Sequence, residues 1–298
     1  MKISTVIPTK NRPQDLFLAL KSILSQTELP DQLIIIDQSD NKESFNIITK
    51  LDLKNNIDLT YILDPKIKGL VHAKHVSLDY VKNELVSFLE DDIVLEKNYF
   101  KQVKNFFINT PNILGCSGTI INSTSDNFFY RFFYKMNHRG IFRDNRPDLF
   151  VQLKKTNLKY INSNVINGGL STWRFEVFSK FKFDFKNKFH MIEDFEFSSR
   201  VSRKHPNSLY IISEAKLNHN YSPVNRANRF KLVEMKIFEY LIYYKKNKHI
   251  KYSFFDLIIL LIGLFLNESL KSIMEFNIKR IFYAINGIRR AYMYKIQK

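Results

Sequence analysis

Leu85-Val86-Ser87-Phe88-Leu89-Glu90-Asp91-Asp92 decides how this chain is read: an apolar run of strand length that ends in three consecutive acids. Carboxylates at the end of a buried strand are costly unless a cation or a positive ligand balances them. A Mg2+ or Mn2+ ion on a diphosphate needs only one or two protein carboxylates, because phosphate oxygens and water complete its octahedron. Taken alone, the triplet reads equally well as an exposed acidic turn.

The segments before it supply the context. Ile3–Ile7 reads as a strand that runs into Pro8-Thr9-Lys10-Asn11-Arg12-Pro13. A helix from about Gln14 has Leu16, Leu20, Ile23 and Leu24 on one face and Pro13 near its first turn. Leu33–Ile36 is a fully apolar strand closing at Asp37, followed by a polar helix near Asn41–Leu51 and a strand at Leu59–Leu63. Leu70, Ala73, Val76, Tyr80 and Val81 mark a further helix. Strands buried on both faces and separated by helices predict an α/β fold with a doubly wound, mainly parallel, Rossmann-like sheet. Ligands gather at the carboxyl ends of such strands, where Asn11, Asp37 and Glu90–Asp92 fall. Beyond Leu114 the pattern loosens. Residues 122–160 are dense in aromatic and basic side chains without a clear period and predict a long excursion beside the sheet. Helices are expected near Thr172–Phe178, after Gly168-Gly169, and after Glu193-Asp194.

Composition bounds the rest. With 298 residues, 45% hydrophobic and 25% charged, the chain can hold one large domain or a catalytic domain with an appendage. Cys116 is the single cysteine and cannot form an intrachain disulfide, which suits a reducing compartment. The run Ile3–Ile7 is too short for a secretory signal, so a cytoplasmic location is expected. The net charge of +17 is uneven: residues 225–298 hold 15 Lys/Arg against 5 Asp/Glu. The expected division is therefore a domain over residues 1–224 and a basic, largely helical region over 225–298. Within the latter, Tyr252–Leu266 is strongly apolar but contains Asp256, and its length of about 15 residues falls short of the roughly 20 that cross a bilayer. Ile250–Leu266 and Ile278–Tyr294 combine apolar faces with Lys279, Arg280, Arg289, Arg290, Lys295 and Lys298. Such segments suit the anionic inner leaflet of a cell membrane. A helical cap, a dimerisation surface or a plain solvated basic face are the alternatives.

Five motifs in order carry a resemblance. They are Ile7-Pro8-Thr9-Lys10-Asn11-Arg12-Pro13, Ile35-Ile36-Asp37-Gln38-Ser39, Phe88-Leu89-Glu90-Asp91-Asp92, Asn167-Gly168-Gly169-Leu170-Ser171, and Ile192-Glu193-Asp194-Phe195-Glu196-Phe197 with Arg200. Together they resemble the family 2 glycosyltransferases with the GT-A fold, over roughly residues 1–220. The resemblance implies an inverting, metal-dependent transferase that uses a nucleotide-sugar donor, a UDP-sugar foremost, and a carbohydrate or lipid-linked acceptor. It implies a place in bacterial surface-polysaccharide assembly. Pro8, Thr9, Asn11, Arg12, Asp37, Ser39, Lys74, Glu90 and Asp91 would bind the donor, with Asp37 meeting the base and Glu90 near the ribose. Asp92 would hold Mn2+ or Mg2+, with His219 as a further ligand. Asp194, beside Glu193, would be the general base that deprotonates the acceptor hydroxyl for in-line displacement. Gly169, Trp173 and Arg200 would lie on the acceptor side, under the 122–160 excursion. The chain departs from the family in having Glu90 where Asp is commoner, and Ala73-Lys74-His75 where Ala-Arg-Asn is commoner. Packing is the bland role for Trp173, and a surface position the bland role for His219 and Arg200.

Two other classes compete. A sugar nucleotidyltransferase would use a related sheet, but usually has a glycine-rich loop after its first strand, and Pro8–Pro13 contains no glycine. A non-enzymatic nucleic-acid binder would suit the charge and the 27 Phe and 15 Tyr. No nucleic-acid motif accompanies them, so nucleic acid is set aside as a partner.

Overall fold

The computed structural model describes residues 1–51, 53, 57–123, 128–187, 189–224 and 227–297. The first half is the alternation read from the sequence. It runs β1 (Ile3–Thr9), α1 (Pro13–Leu24), β2 (Gln32–Asp37), α2 (Glu43–Ile48), β3 (Asp58–Leu63), α3 (Leu70–Ser77) and β4 (Leu85–Leu89). Every residue of β1, β2 and β4 is buried, which explains why these strands read as predominantly apolar runs. They pair in parallel in the order β3-β2-β1-β4, so their carboxyl ends lie along one edge.

The second half closes the sheet differently. It contains β5 (Ile93–Leu95), α4 (Tyr99–Asn109), β6 (Gly115–Ile120), α5 (Phe128–Asn137), α6 (Arg146–Lys155), β7 (Tyr160–Asn162), β8 (Leu170–Arg174), α7 (Val177–Lys180), α8 (Glu193–Lys204) and β9 (Leu209–His219). The sheet continues β4-β8-β6-β9-β5, with β7 on β9. Here β8 is antiparallel to both β4 and β6, while β6 and β9 are parallel. The helix expected near Thr172–Phe178 is instead strand β8, and only the short α7 follows it. Its polar residues are tolerated because they find partners: Thr172 donates to the Ser87 hydroxyl at 3.0 Å and Ser171 to the Gly168 carbonyl at 3.1 Å. The 122–160 excursion is largely helical, as α5 and α6; its residues 124–127 lie outside the described residues.

Helices α9 (Arg229–Asn247), α10 (Ser253–Met274) and α11 (Lys279–Met293) form the C-terminal region. Residues 225 and 226, where that region was expected to begin, and Lys298 lie outside the described residues. The apolar segment is longer than the sequence suggested: α10 has 22 residues and, among the described residues, is the one helix long and apolar enough to cross a membrane. The C-terminal helices share a hydrophobic cluster with the segment leading into α8. Phe142, Val165, Ile192 and Phe195 pack with Ile237, Tyr240, Tyr243 and Leu260. Lys246 of α9 adds ion pairs at 2.5 Å to Asp184 and 2.8 Å to Glu196.

One buried carboxylate fixes that junction. A single oxygen of Glu239, on α9, accepts the backbone N–H groups of His190, Met191 and Ile192 at 2.7–3.0 Å, at the entry to α8. Burial nevertheless outweighs these donors and pushes the Glu239 carboxyl up to about 7 from its ordinary 4.5. An acid raised in the fold stabilises it fully below pH 4.5 and loses that contribution as pH rises through 7, here about 3 kcal/mol. Glu239→Gln keeps the accepting oxygen and removes the titration. Urea melts between pH 4.5 and 8 are therefore expected to show a decline in stability that is smaller in the variant than in the wild type by about 3 kcal/mol.

Candidate active site

Three strand ends converge on the edge the sequence marked. After β1, Asn11 adopts a left-handed conformation (φ 51°), and its N–H donates to the Ser39 hydroxyl at 2.7 Å. This ties the β1 loop to the β2 loop. Asp37, at the end of β2, is wholly buried; one oxygen accepts the Ser39 N–H at 2.9 Å and the other the Tyr61 hydroxyl at 2.7 Å. Its carboxylate organises the Ser39 turn. Thr9 donates to Asp91 at 2.7 Å, and Arg12 reaches Asp91 at 3.0 Å and Asp92 at 3.8 Å. Pro8 lies within β1, in register with Ile36.

The acidic triplet spans the sharp passage from β4 to β5. Glu90 and Asp92 turn toward His219, at the end of β9, whose Nε2 lies 2.9 Å from Glu90 and 3.0 Å from Asp92. Asn122 fixes the imidazole's backbone from both sides, accepting the His219 N–H and donating to its carbonyl, each at 3.0 Å. One ligand atom from each of Glu90, Asp92 and His219 lies within 4.8 Å of the others. Two carboxylates and an imidazole are a donor set that suits Mn2+ well and Mg2+ adequately. Burial alone would raise Asp92, but the His219 hydrogen bond, the Ser222 N–H and Arg12 hold it at about 2. Burial alone would lower His219, but Asp92 and Glu90 raise it to about 9. In the protein by itself the imidazolium thus carries positive charge at the point where the carboxylates converge. Asp91 differs: burial outweighs Arg12 and Thr9 and pushes it up to about 6.

The second acidic pair opens α8. Glu193 is buried, accepting from Lys74 at 2.6 Å, while the same ammonium donates to the Gly168 carbonyl at 3.0 Å. Lys74, expected to meet a donor phosphate, is thus committed beneath the glycine loop, and burial still pushes Glu193 upward. Asp194 is more open. One of its oxygens accepts the Phe195 N–H at 2.7 Å, and the other is ion-paired with Arg146. Arg146 is gripped in turn by Asp144 at 2.7 Å and by the Asn167 side chain at 2.8 Å.

Between the two groups runs Asn167-Gly168-Gly169. A Cβ at Gly168 would collide with Glu193 and lie 3.0 Å from the Asp194 Cβ; a Cβ at Gly169 would collide with Glu90. The carbonyl of Gly169 accepts the Glu90 N–H at 2.9 Å. The two glycines let the backbone pass close to both groups, with Glu90 against Gly169 and the α8 acids against Gly168.

The family model of "Glycosyl transferase family 2" matches residues 4–182. The chain belongs to that family. The match takes in the β1 loop, the acidic triplet and the glycine loop, and ends before α8. A curated relative from Campylobacter jejuni, GalNAc(5)-diNAcBac-PP-undecaprenol beta-1,3-glucosyltransferase, is 32% identical over 92 residues, 30% of this chain and 29% of its own length. The chain thus spans under a third of that relative. Among solved structures, the mannosyltransferase PcManGT from Pyrobaculum calidifontis, in complex with GDP-Man and Mn2+, matches 99% of this chain and 88% of its own, at TM-score 0.63 and 11% identity. GalNAc-T7 with UDP, GalNAc and Mn2+ matches 81% and 50%, at TM-score 0.59 and 15% identity. These likenesses establish the GT-A fold, with the α/β sheet and C-terminal helices described above.

Two of the residues expected on the acceptor side have partners within the chain. Trp173 alternates inward on β8 and is buried against Phe178 and Phe197, so its ring is committed to the core rather than to a sugar face. Arg200 lies one turn beyond Glu196 and pairs with it at 2.8 Å, away from the glycine loop's partners. Conversely, Arg146, Asp144 and Asn167 hold Asp194 although the sequence reading gave none of them a role. Their signal, an Asp-x-Arg at a helix start, is too common to stand out. For the buried pair, Lys74→Met is expected to cost about 3 kcal/mol by stranding Glu193. Lys74→Met/Glu193→Gln is expected to regain most of that, in a double-mutant cycle by urea denaturation.

Proposed function

We propose that this glycosyltransferase moves a sugar from a nucleotide-sugar donor to a hydroxyl acceptor with inversion, and that it requires a divalent cation. The convergence of Glu90, Asp92 and His219 on one point, with the glycine loop touching both Glu90 and Asp194, is the observation that carries the reading. Asn11, Arg12 and Ser39 line the donor side, where the β1 and β2 loops are pinned together. Asp92 and His219 would hold Mn2+ or Mg2+, which would supply positive charge against that developing on the leaving diphosphate. His219 would ligate as the neutral imidazole, having given up its proton. Asp194 takes the proton of the acceptor hydroxyl from the face opposite the leaving group, and Arg146 orients its carboxylate. One base and one displacement give inversion.

PcManGT is in complex with GDP-Man and Mn2+, and GalNAc-T7 with UDP, GalNAc and Mn2+, which supports a nucleotide-sugar donor and the cation. The Campylobacter relative is named for a lipid-linked acceptor, which supports an acceptor of that kind and a role in bacterial surface-glycan assembly. The basic C-terminal helices then serve to hold the enzyme on the cytoplasmic face of a membrane.

Nucleoside diphosphate release, screened across UDP- and GDP-sugars with Mn2+ and Mg2+, tests the reading. Turnover is expected with at least one donor, to be lost in EDTA, and to fall about a thousandfold or more in Asp92→Ala and in Asp194→Asn. Undiminished turnover in EDTA would falsify the metal-dependent version, and undiminished turnover in Asp194→Asn would remove the base.

A further inference from the structure

Helix α10 is apolar on both sides. Its inner side buries Leu257, Leu260 and Leu264 and also two acids: Asp256 accepts the Ile141 N–H at 3.2 Å and lies 3.7 Å from Arg139, while Glu268 pairs with Arg280 at 3.0 Å. Its outer side is largely apolar as well, with Phe254, Ile258, Ile262, Leu266, Leu270 and Met274 exposed and Asn267 and Lys271 among them. A soluble helix keeps its outer face polar. The inward acids also mean that α10 lies along a surface rather than crossing one, since a spanning helix would press Asp256 and Glu268 toward hydrocarbon.

Helix α5 extends this face. None of its residues is buried, and Phe128, Phe129, Phe132, Phe133 and Met136 are each more than half exposed. It packs on α10 where Gly263 leaves room for Asn137; a Cβ at Gly263 would collide with that side chain. Contiguous exposed apolar surface on this scale marks a docking site. Its margins are cationic, with Lys135, Arg139 and Lys271 exposed beside it, in a chain of net charge +17. That complementarity selects an anionic bilayer as the occupant. The opposite side of α5 leads inward. The Tyr134 hydroxyl donates to Asp144 at 2.9 Å, Asp144 grips Arg146, and Arg146 holds Asp194. The ring of His138, stacked on Tyr134 at 3.7 Å, locks that tyrosine in place.

We propose that α5 is a lipid-inserted wedge, continuous with the outer face of α10, whose inner side positions Asp194 through Tyr134, Asp144 and Arg146. This deepens the membrane docking proposed above and rests on Asp194 as the base. Tyr134, Asp144 and Arg146 are positioning residues; none needs to touch substrate.

The buried Trp173 is the only tryptophan, so new ones report insertion directly. Phe129→Trp on α5 and Phe255→Trp on α10 would be mixed at low salt with vesicles of phosphatidylglycerol and phosphatidylcholine brominated along the acyl chains. Quenching and a blue shift at both positions are expected. Replacing Phe128, Phe129, Phe132 and Phe133 with Ser should weaken vesicle binding about tenfold or more without lowering the melting temperature. Quenching at Phe255→Trp alone overturns the wedge. So does a lipid-free dimer that buries Phe129→Trp, which would give the face to a second copy of the chain, and so does absence of vesicle binding. These arms need no turnover, so they fail or succeed independently of the transferase reading. The inward tie is read from Tyr134→Phe, which keeps the ring stack and loses the hydroxyl. A several-fold lower kcat for nucleoside diphosphate release is expected, with donor KM, vesicle affinity and melting temperature unchanged; wild-type kcat overturns the tie.

Discussion

The passage of Gly168-Gly169 between two sets of acids is the constraint on which the site depends. Gly169 touches Glu90, Gly168 touches Glu193 and Asp194, and a single methyl group at either glycine would strike a carboxylate. Strand β8 follows at once and is locked between β4 and β6, so the loop cannot drift outward to relieve the crowding. The glycine loop therefore lies in contact with the acidic triplet through Glu90 and with the α8 acids through Glu193 and Asp194. Side chains on separate mobile loops would not hold a nucleophile and a leaving group in line to within the tolerance that displacement demands.

Charge is managed by the same economy. Each acid is met by a cation of the chain itself: Asp91 by Arg12, Glu90 and Asp92 by His219, Glu193 by Lys74, Asp194 by Arg146. The partners differ in permanence. Lys74 and Glu193 are buried together, and breaking such a pair strands a charge, so that contact is structural. His219 gives up its proton far more readily than an arginine does, so its place between two carboxylates is one a divalent ion can take over. Two acidic pairs that look alike in sequence thus differ in what their surroundings allow.

The half of the fold made from parallel strands was legible because every residue of β1, β2 and β4 is buried, and such strands advertise themselves as apolar runs with polar ends. The other half was not. Leu170–Arg174 contains Ser171 and Thr172 at buried positions, and the partners Ser87 and Gly168, far away in sequence or around a turn, make that composition sensible. Arg146 was invisible for a related reason: its contacts with Asp194 and Asn167 are 48 and 21 residues distant, within a stretch whose aromatic density hides any period. The acidic triplet and Asp194 could be placed because strand ends and a helix start have local signatures. Lys74 and Trp173 were assigned from motif position alone, and both are buried, Lys74 against Glu193 and Trp173 against Phe178 and Phe197.

The C-terminal helices show where pattern reading stops. Periodicity reveals that a helix has two faces, but not which of them meets the protein. In α10 the usual rule would put all the phenylalanines and leucines inward and Asp256 and Glu268 outward. Leu257, Leu260 and Leu264 do lie inward, but Asp256, Glu268 and Gly263 share that side because the Ile141 N–H, Arg280 and Asn137 meet them there. Three small or charged positions on one side thus fix the helix's rotation and force the apolar stripe outward. Such surface is tolerable in water only if something apolar covers it for much of the protein's life. Since α9 grips the backbone leading into α8 through Glu239, and α5 grips Arg146 through Tyr134 and Asp144, whatever covers that face bears on the two elements that hold Asp194. Helix α10 is therefore part of the site's own construction rather than a tail attached to it.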